Sequence, residues 1–111
     1  IASTAGLVGY AGGLAYCASK AALVMMSKTT ALEYAAYGIR VNCICPGATR
    51  TPLIPSDKIK NLPKQIPLGR IGEPSDVAEL ALFLASEKAR QITGGVYVID
   101  GGSTAGRSRL A

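Results

Sequence analysis

Tyr16 and Lys20 stand four residues apart, and Ser3 lies thirteen residues before the tyrosine. On a helix, positions i and i+4 share a face one turn apart. An unperturbed phenol titrates at about pH 10, too high for ready proton exchange at neutral pH. An ammonium one turn away favours the phenolate and lowers that value. A tyrosine tuned in this way can pass a proton to or from a substrate oxygen near neutrality. The Ser3 hydroxyl is placed to hold that oxygen. Together the three offer the chemistry of interconverting an alcohol and a ketone, with a hydride passing to or from another group. Tyrosine and lysine at this spacing also occur on ordinary helix surfaces, so the assignment depends on what surrounds them.

The elements that must position these groups follow in order. Ile1 to Ser3 reads as the end of a strand, with Ser3 at its C-terminal tip, where open α/β sheets bind ligands. Gly6, Gly9, Gly12 and Gly13 make a loop. It lacks the strand–GxGxxG–helix order of a phosphate cradle and is read as a substrate-side loop. Leu14 to Tyr37 is rich in alanine, leucine, methionine and lysine and predicts one long helix, with Gly38 as its C-cap. Its apolar residues are too widespread for a single stripe, so more than one face should be covered. Met25 and Met26 are read as core.

Ile39 to Cys45 predicts a buried parallel strand that ends at Pro46-Gly47. Residues 50–70, with four prolines among lysines, predict an irregular or short-helical lid. Glu73-Pro74-Ser75-Asp76 starts a helix that carries Val77, Leu80, Ala81, Leu84 and Ala85 at helical spacing. Val96 to Ile99 is a last strand, closed by Asp100-Gly101-Gly102, and the tail with Arg107 and Arg109 reads as loose. The expected fold is α/β: strands and helices in βαβαβ order, forming half of a doubly wound parallel sheet. Ser3, Tyr16 and Pro46-Gly47 then converge on one sheet edge.

Four segments, in order, carry a resemblance. They are Ser3-Thr4-Ala5-Gly6 with Tyr16-Cys17-Ala18-Ser19-Lys20-Ala21-Ala22; Ile39 to Gly47; Arg70 to Ala78; and Gly94 to Gly102. This pattern resembles the short-chain dehydrogenases/reductases, from the catalytic serine strand onward. The resemblance implies the C-terminal portion of a single Rossmann-type domain, with an N-terminal cofactor half that contains a glycine-rich loop and an NNAG segment. It implies NAD or NADP as cofactor, without deciding between them. It implies Ser3, Tyr16 and Lys20 as catalytic residues, with Tyr16 and Lys20 also at the nicotinamide ribose. Pro46, Gly47, Thr49 and Thr51 would complete cofactor binding, although Thr49 replaces an aliphatic residue usual in the family. The substrate would be a small alcohol or carbonyl compound. The helix around residues 14–37 would pair copies into a homodimer or homotetramer. Residues 1–111 alone are expected to lack tight dinucleotide binding, because phosphate binding needs the glycine loop and a helix N-terminus.

Composition narrows the alternatives. With 49% apolar and 17% charged residues, the 111-residue chain can build one modest core. There is no histidine and no CxxC pair, so neither a zinc site nor a histidine-assisted nucleophile is expected. Three cysteines, two of them at 43 and 45, read as free thiols of a reducing compartment, and the protein is expected in the cytoplasm. No apolar run has membrane-spanning length, and no membrane partner is expected. A net charge of +5, spread over Lys58, Lys60, Lys64 and the tail arginines, forms no compact basic block, and no nucleic-acid partner is expected. The alternative reading is a scaffold or assembly module that keeps the fold without catalysis.

Overall fold

Cys43, Ile44, Cys45 and Pro46 form strand β1, and in the computed structural model, which describes residues 1–107, this strand organises the core. Its side chains alternate between faces. Cys43 and Cys45 face helix α1 (Leu14–Tyr34) and form a buried cluster with Ala2 and Val24. Ile44, on the opposite face, meets Ala81, Leu84 and Ala85 of helix α3 (Pro74–Ala85) across a shared cavity. Strand β2 (Val96–Ile99) pairs with β1 in parallel, Cys43 opposite Val96 and Pro46 opposite Ile99. A parallel pair needs a crossover, and α3 with its flanking turns supplies it. The layering is therefore helix, sheet, helix, as expected for this class.

Three strand expectations change in detail. The first strand is reduced to one amide, Ala2 N–H to the Ile44 carbonyl at 2.8 Å, because Ser3 turns at once into a 3-10 turn at Thr4–Gly6. The second begins at Cys43 rather than Ile39. Residues 40–42 direct their hydrogen bonds to the loop before β2 instead of to a ladder. Arg40 donates to the Ile92 carbonyl, Asn42 donates to Ile92 and accepts from the Gly95 amide, and the Val41 amide donates to the Thr93 hydroxyl. The last strand lies where expected.

Helix α1 ends three residues earlier than expected, passing into a 3-10 turn at Ala35–Tyr37. Gly38 caps it at φ 70°, a conformation costly for any residue with a Cβ. Only Val24 and Ala31 of α1 are fully buried. Met25 and Met26 are not core: both are more than half exposed, because they lie away from the stripe that meets β1. Helix α3 begins as read, with Pro74 in its first turn and a reciprocal capping box between Glu73 and Asp76. The segment between β1 and α3 contains a one-turn helix α2 (Ser56–Ile59) and a 3-10 turn at Leu62–Gln65.

The tail is not loose where it leaves β2. Asp100 accepts from the Gly102 amide, the Thr104 amide and the Thr104 hydroxyl at 2.8, 2.8 and 2.7 Å. Burial alone would raise its pKa, but these bonds outweigh burial and hold the carboxyl below its ordinary range. Arg109, also read as part of that tail, lies outside the described residues. No helix of the described residues is long and apolar enough to cross a membrane.

Candidate active site

Ser3 closes the first extended segment, and its Oγ accepts the Ala5 amide at 3.1 Å, capping the Thr4–Gly6 turn. Gly6 sets where that turn rests. A Cβ there would lie 2.7 Å from the Lys20 carbonyl carbon, so only glycine lets the turn touch the α1 backbone. The contact holds the loop bearing Ser3 against the helical turn that bears Tyr16 and Lys20. Gly13, before α1, makes a looser contact: a Cβ would lie 2.5 Å from the Tyr10 ring, which is exposed and free to swing aside.

Tyr16 is in the first turn of α1 and is 41% exposed. Lys20 follows one turn later, with its Nζ 5.6 Å from the centre of the Tyr16 ring, at the range of a cation–π contact. Phenol and ammonium therefore share a face, as their spacing predicted.

Pro46 ends β1, and Gly47 follows it. The Gly47 amide donates to the Ile99 carbonyl at 2.9 Å. A Cβ on Gly47 would lie 2.6 Å from the Asp100 Cβ, so this corner and the Asp100 turn need a bare backbone between them. Beyond it, Thr49 bridges in parallel to Gly72. The Arg50 amide donates to the Gly72 carbonyl, and the Gly72 amide donates to the Ala48 carbonyl, at 2.8 and 3.0 Å. In such a bridge the central residue's own N–H and C=O point away from its partner. The Thr49 hydroxyl donates to the Gly47 carbonyl at 3.1 Å. Ion pairs Arg50–Glu73 at 2.9 Å and Arg70–Asp76 at 3.0 Å tie the outer end of this strap to the start of α3. The Glu73 amide and then the Arg70 guanidinium hold the Asp76 carboxyl below its ordinary range.

Two cavities open on these residues. The smaller, about 400 Å³, is lined by Ser3, Tyr16, Pro46, Gly47, Thr49 and Thr51 among its walls. The larger, about 770 Å³, also includes Ser3, Tyr16 and Gly47 and extends under the α2 segment. Both lie within the size range of small-molecule sites. Six of the seven residues singled out from the sequence thus reach one cavity. Lys20 does not line it and reaches it only through its contact with the Tyr16 ring. Cys45, nearby on β1, is unsuited to nucleophilic work: burial first, and neighbouring Cys43 second, push its thiol up to about 11.

Sequence reasoning missed several walls. Leu53 and Ile54 border both cavities, Pro74 and Val77 the smaller, and Tyr10 and Lys58 the larger. Val77 was legible only as a core position on α3, and nothing in its spacing says that it faces a cleft. Lys58 stood out only as one of several scattered lysines.

The chain has known relatives. A family model described as enoyl-(acyl carrier protein) reductase matches residues 1–104. The 2,5-dichloro-2,5-cyclohexadiene-1,4-diol dehydrogenase LinX of Sphingobium indicum is 48% identical over 109 residues, covering 96% of this chain and 44% of that protein. An inactive 2-(S)-hydroxypropyl-CoM dehydrogenase 2 of Xanthobacter autotrophicus is 43% identical, covering 93% of this chain and 49% of that protein. Among solved structures, 4-hydroxyisoleucine dehydrogenase complexed with NADH and succinate superimposes with a TM-score of 0.88 at 41% identity, covering 95% of this chain and 44% of that one. The chain thus spans less than half the length of these relatives.

Proposed function

The chain belongs to the short-chain dehydrogenase/reductase family, and from that premise we propose that it is the C-terminal catalytic part of a longer oxidoreductase acting on an alcohol or carbonyl compound with NAD or NADP. The observation that carries the reading is the meeting of two cavities at one phenol. Tyr16, with Ser3 and Gly47, forms a wall common to both, so a group bound in either one borders the same hydroxyl. One cavity then serves the cofactor and the other the substrate.

The smaller cavity suits a nicotinamide. Among the described residues no charged side chain lines it, and its side-chain polar groups are hydroxyls, partners with the backbone for a neutral carboxamide on a flat ring. Pro46, Gly47, Thr49 and Thr51 would hold that end, with the outward N–H of Thr49 as donor. A backbone donor is indifferent to the side chain, which accounts for threonine where the family usually has an aliphatic residue. When bound, the dinucleotide supplies the acceptor for the hydride that leaves the carbinol carbon.

The chain's own residues manage the proton. Ser3 Oγ orients the substrate oxygen. The Tyr16 oxygen takes the hydroxyl proton as the carbonyl forms and releases it to solvent, or gives it back in the reverse direction. Lys20 supplies positive charge beside the ring while the phenol is deprotonated, and it also binds the ribose hydroxyls. The exposed outer stripe of α1 pairs two copies of the protein. Three free thiols, Cys17, Cys43 and Cys45, suit a reducing compartment, and we assign the cytoplasm.

A second reading has one observation in its favour: a relative at 43% identity bears the name of an inactive dehydrogenase. On that reading the fold persists as a scaffold. The full protein mixed with secondary alcohols and either oxidised dinucleotide separates the two. The enzyme reading expects steady growth of reduced-nicotinamide absorbance. A folded protein that binds dinucleotide but turns over no alcohol or ketone would favour the scaffold.

A further inference from the structure

The larger cavity has a wall that the proton chemistry does not use. Val8, Leu53, Ile54, Leu62 and Ile66 make it largely apolar, and among the described residues Lys58 of α2 is the one charged side chain on it. Among the described residues no carboxylate lines this cavity. Lys58 takes part in neither of the two ion pairs found among the described residues. Asp57, its neighbour on α2, is exposed and lies outside the cavity wall. Lys58 is itself exposed, so it sits at the mouth of the cleft, and with no carboxylate among the described residues on that wall its charge favours an anion that enters there. Lys58 shares the cavity with Ser3 and Tyr16, so an anion held there belongs to the molecule whose oxygen meets the phenol.

We infer that the substrate is a hydroxy or oxo acid, and that Lys58 is a specificity-determining residue that reads its carboxylate on the side away from the reacting carbon. This rests on the alcohol/carbonyl reading above. The apolar residues would pack the carbon skeleton between the two ends. Charge at such a rim directs encounter and orientation more than it adds raw affinity, so its effect belongs in discrimination between substrates.

The test uses the full protein and matched pairs of secondary alcohols that differ only by a carboxylate, such as cyclohexanol and 3-hydroxycyclohexanecarboxylate, across several ring and chain sizes. The expected result is a higher kcat/KM for the acid of a pair. In Lys58→Met the acid-to-neutral ratio should fall about tenfold, carried by KM, with recovery in Lys58→Arg and a deeper fall in Lys58→Glu. A wild-type protein without preference for the acids, or a ratio unmoved in Lys58→Met, overturns the inference while leaving the oxidoreductase reading intact. Turnover of neither member of any pair overturns both.

Discussion

That Tyr16 and Lys20 share a face was legible from their spacing, because an i, i+4 pair on a helix does so whatever surrounds it, but what the pair does was readable only from the segments around it. Ser3 was legible as a hydroxyl at a strand end, but its role as cap of the next turn was not, since any serine before a glycine-rich loop reads the same way. Asp100 was hidden for a similar reason. An Asp-Gly-Gly run marks a turn, yet it does not say that the carboxylate will gather three donors from residues 102 and 104. Those bonds have a consequence for stability. A carboxyl whose folded pKa lies below its unfolded value stabilises the fold above the unfolded value, and that stability is lost as pH falls through the folded one. Asp100→Ala should therefore lower stability by about 1 kcal/mol at pH 7, modest because the turn is open to water. Thermal unfolding of the full protein across pH should show the gap between wild type and variant closing below about pH 4. A gap that stays constant into acid would mean the carboxylate contributes nothing through its charge.

The helices were easier to read than the strands. The composition of α1 and the proline and acids at the start of α3 are local signals, and both helices lie close to where they were expected. Strand ends depend on which partner takes each amide, which no run of residues records; Arg40 and Asn42 shorten β1 by bonding sideways to the loop at Ile92. Met25 and Met26 were misread because hydrophobicity does not say which of two apolar faces meets the sheet. Leu14, Ala18, Ala21, Met25 and Leu32 recur at near-heptad spacing on the exposed side of α1, with Leu14 and Leu32 more than four-fifths exposed. If this stripe pairs two copies, two carboxylates on it should block association. Met25→Glu with Leu32→Glu should weaken dimerisation of the full protein at least about tenfold, since burying one such side chain contributes about 1.5–3 kcal/mol. Sedimentation equilibrium reads this directly, and an unchanged association constant would place the interface elsewhere.

At the scale of the whole molecule, the α/β class and the convergence of its strand ends were legible, because element order alone restricts the topology. The shape of the cleft was not. Its walls come from the α2 segment, the first turn of α3 and the glycine-rich loop, which meet only after β1 and β2 have paired. Gly6 and Gly47 make that meeting possible by leaving room for the Lys20 backbone and for Asp100. In the proposed reaction one hydroxyl, that of Tyr16, carries the proton while a hydride moves beside it. The most direct measurement is the single-turnover rate of alcohol oxidation in the full protein, wild type against Tyr16→Phe, with dinucleotide affinity measured in both. The account predicts a rate lower by about two to four orders of magnitude in the phenylalanine variant, with binding of the dinucleotide largely retained. A variant that oxidises alcohol at close to the wild-type rate would contradict it.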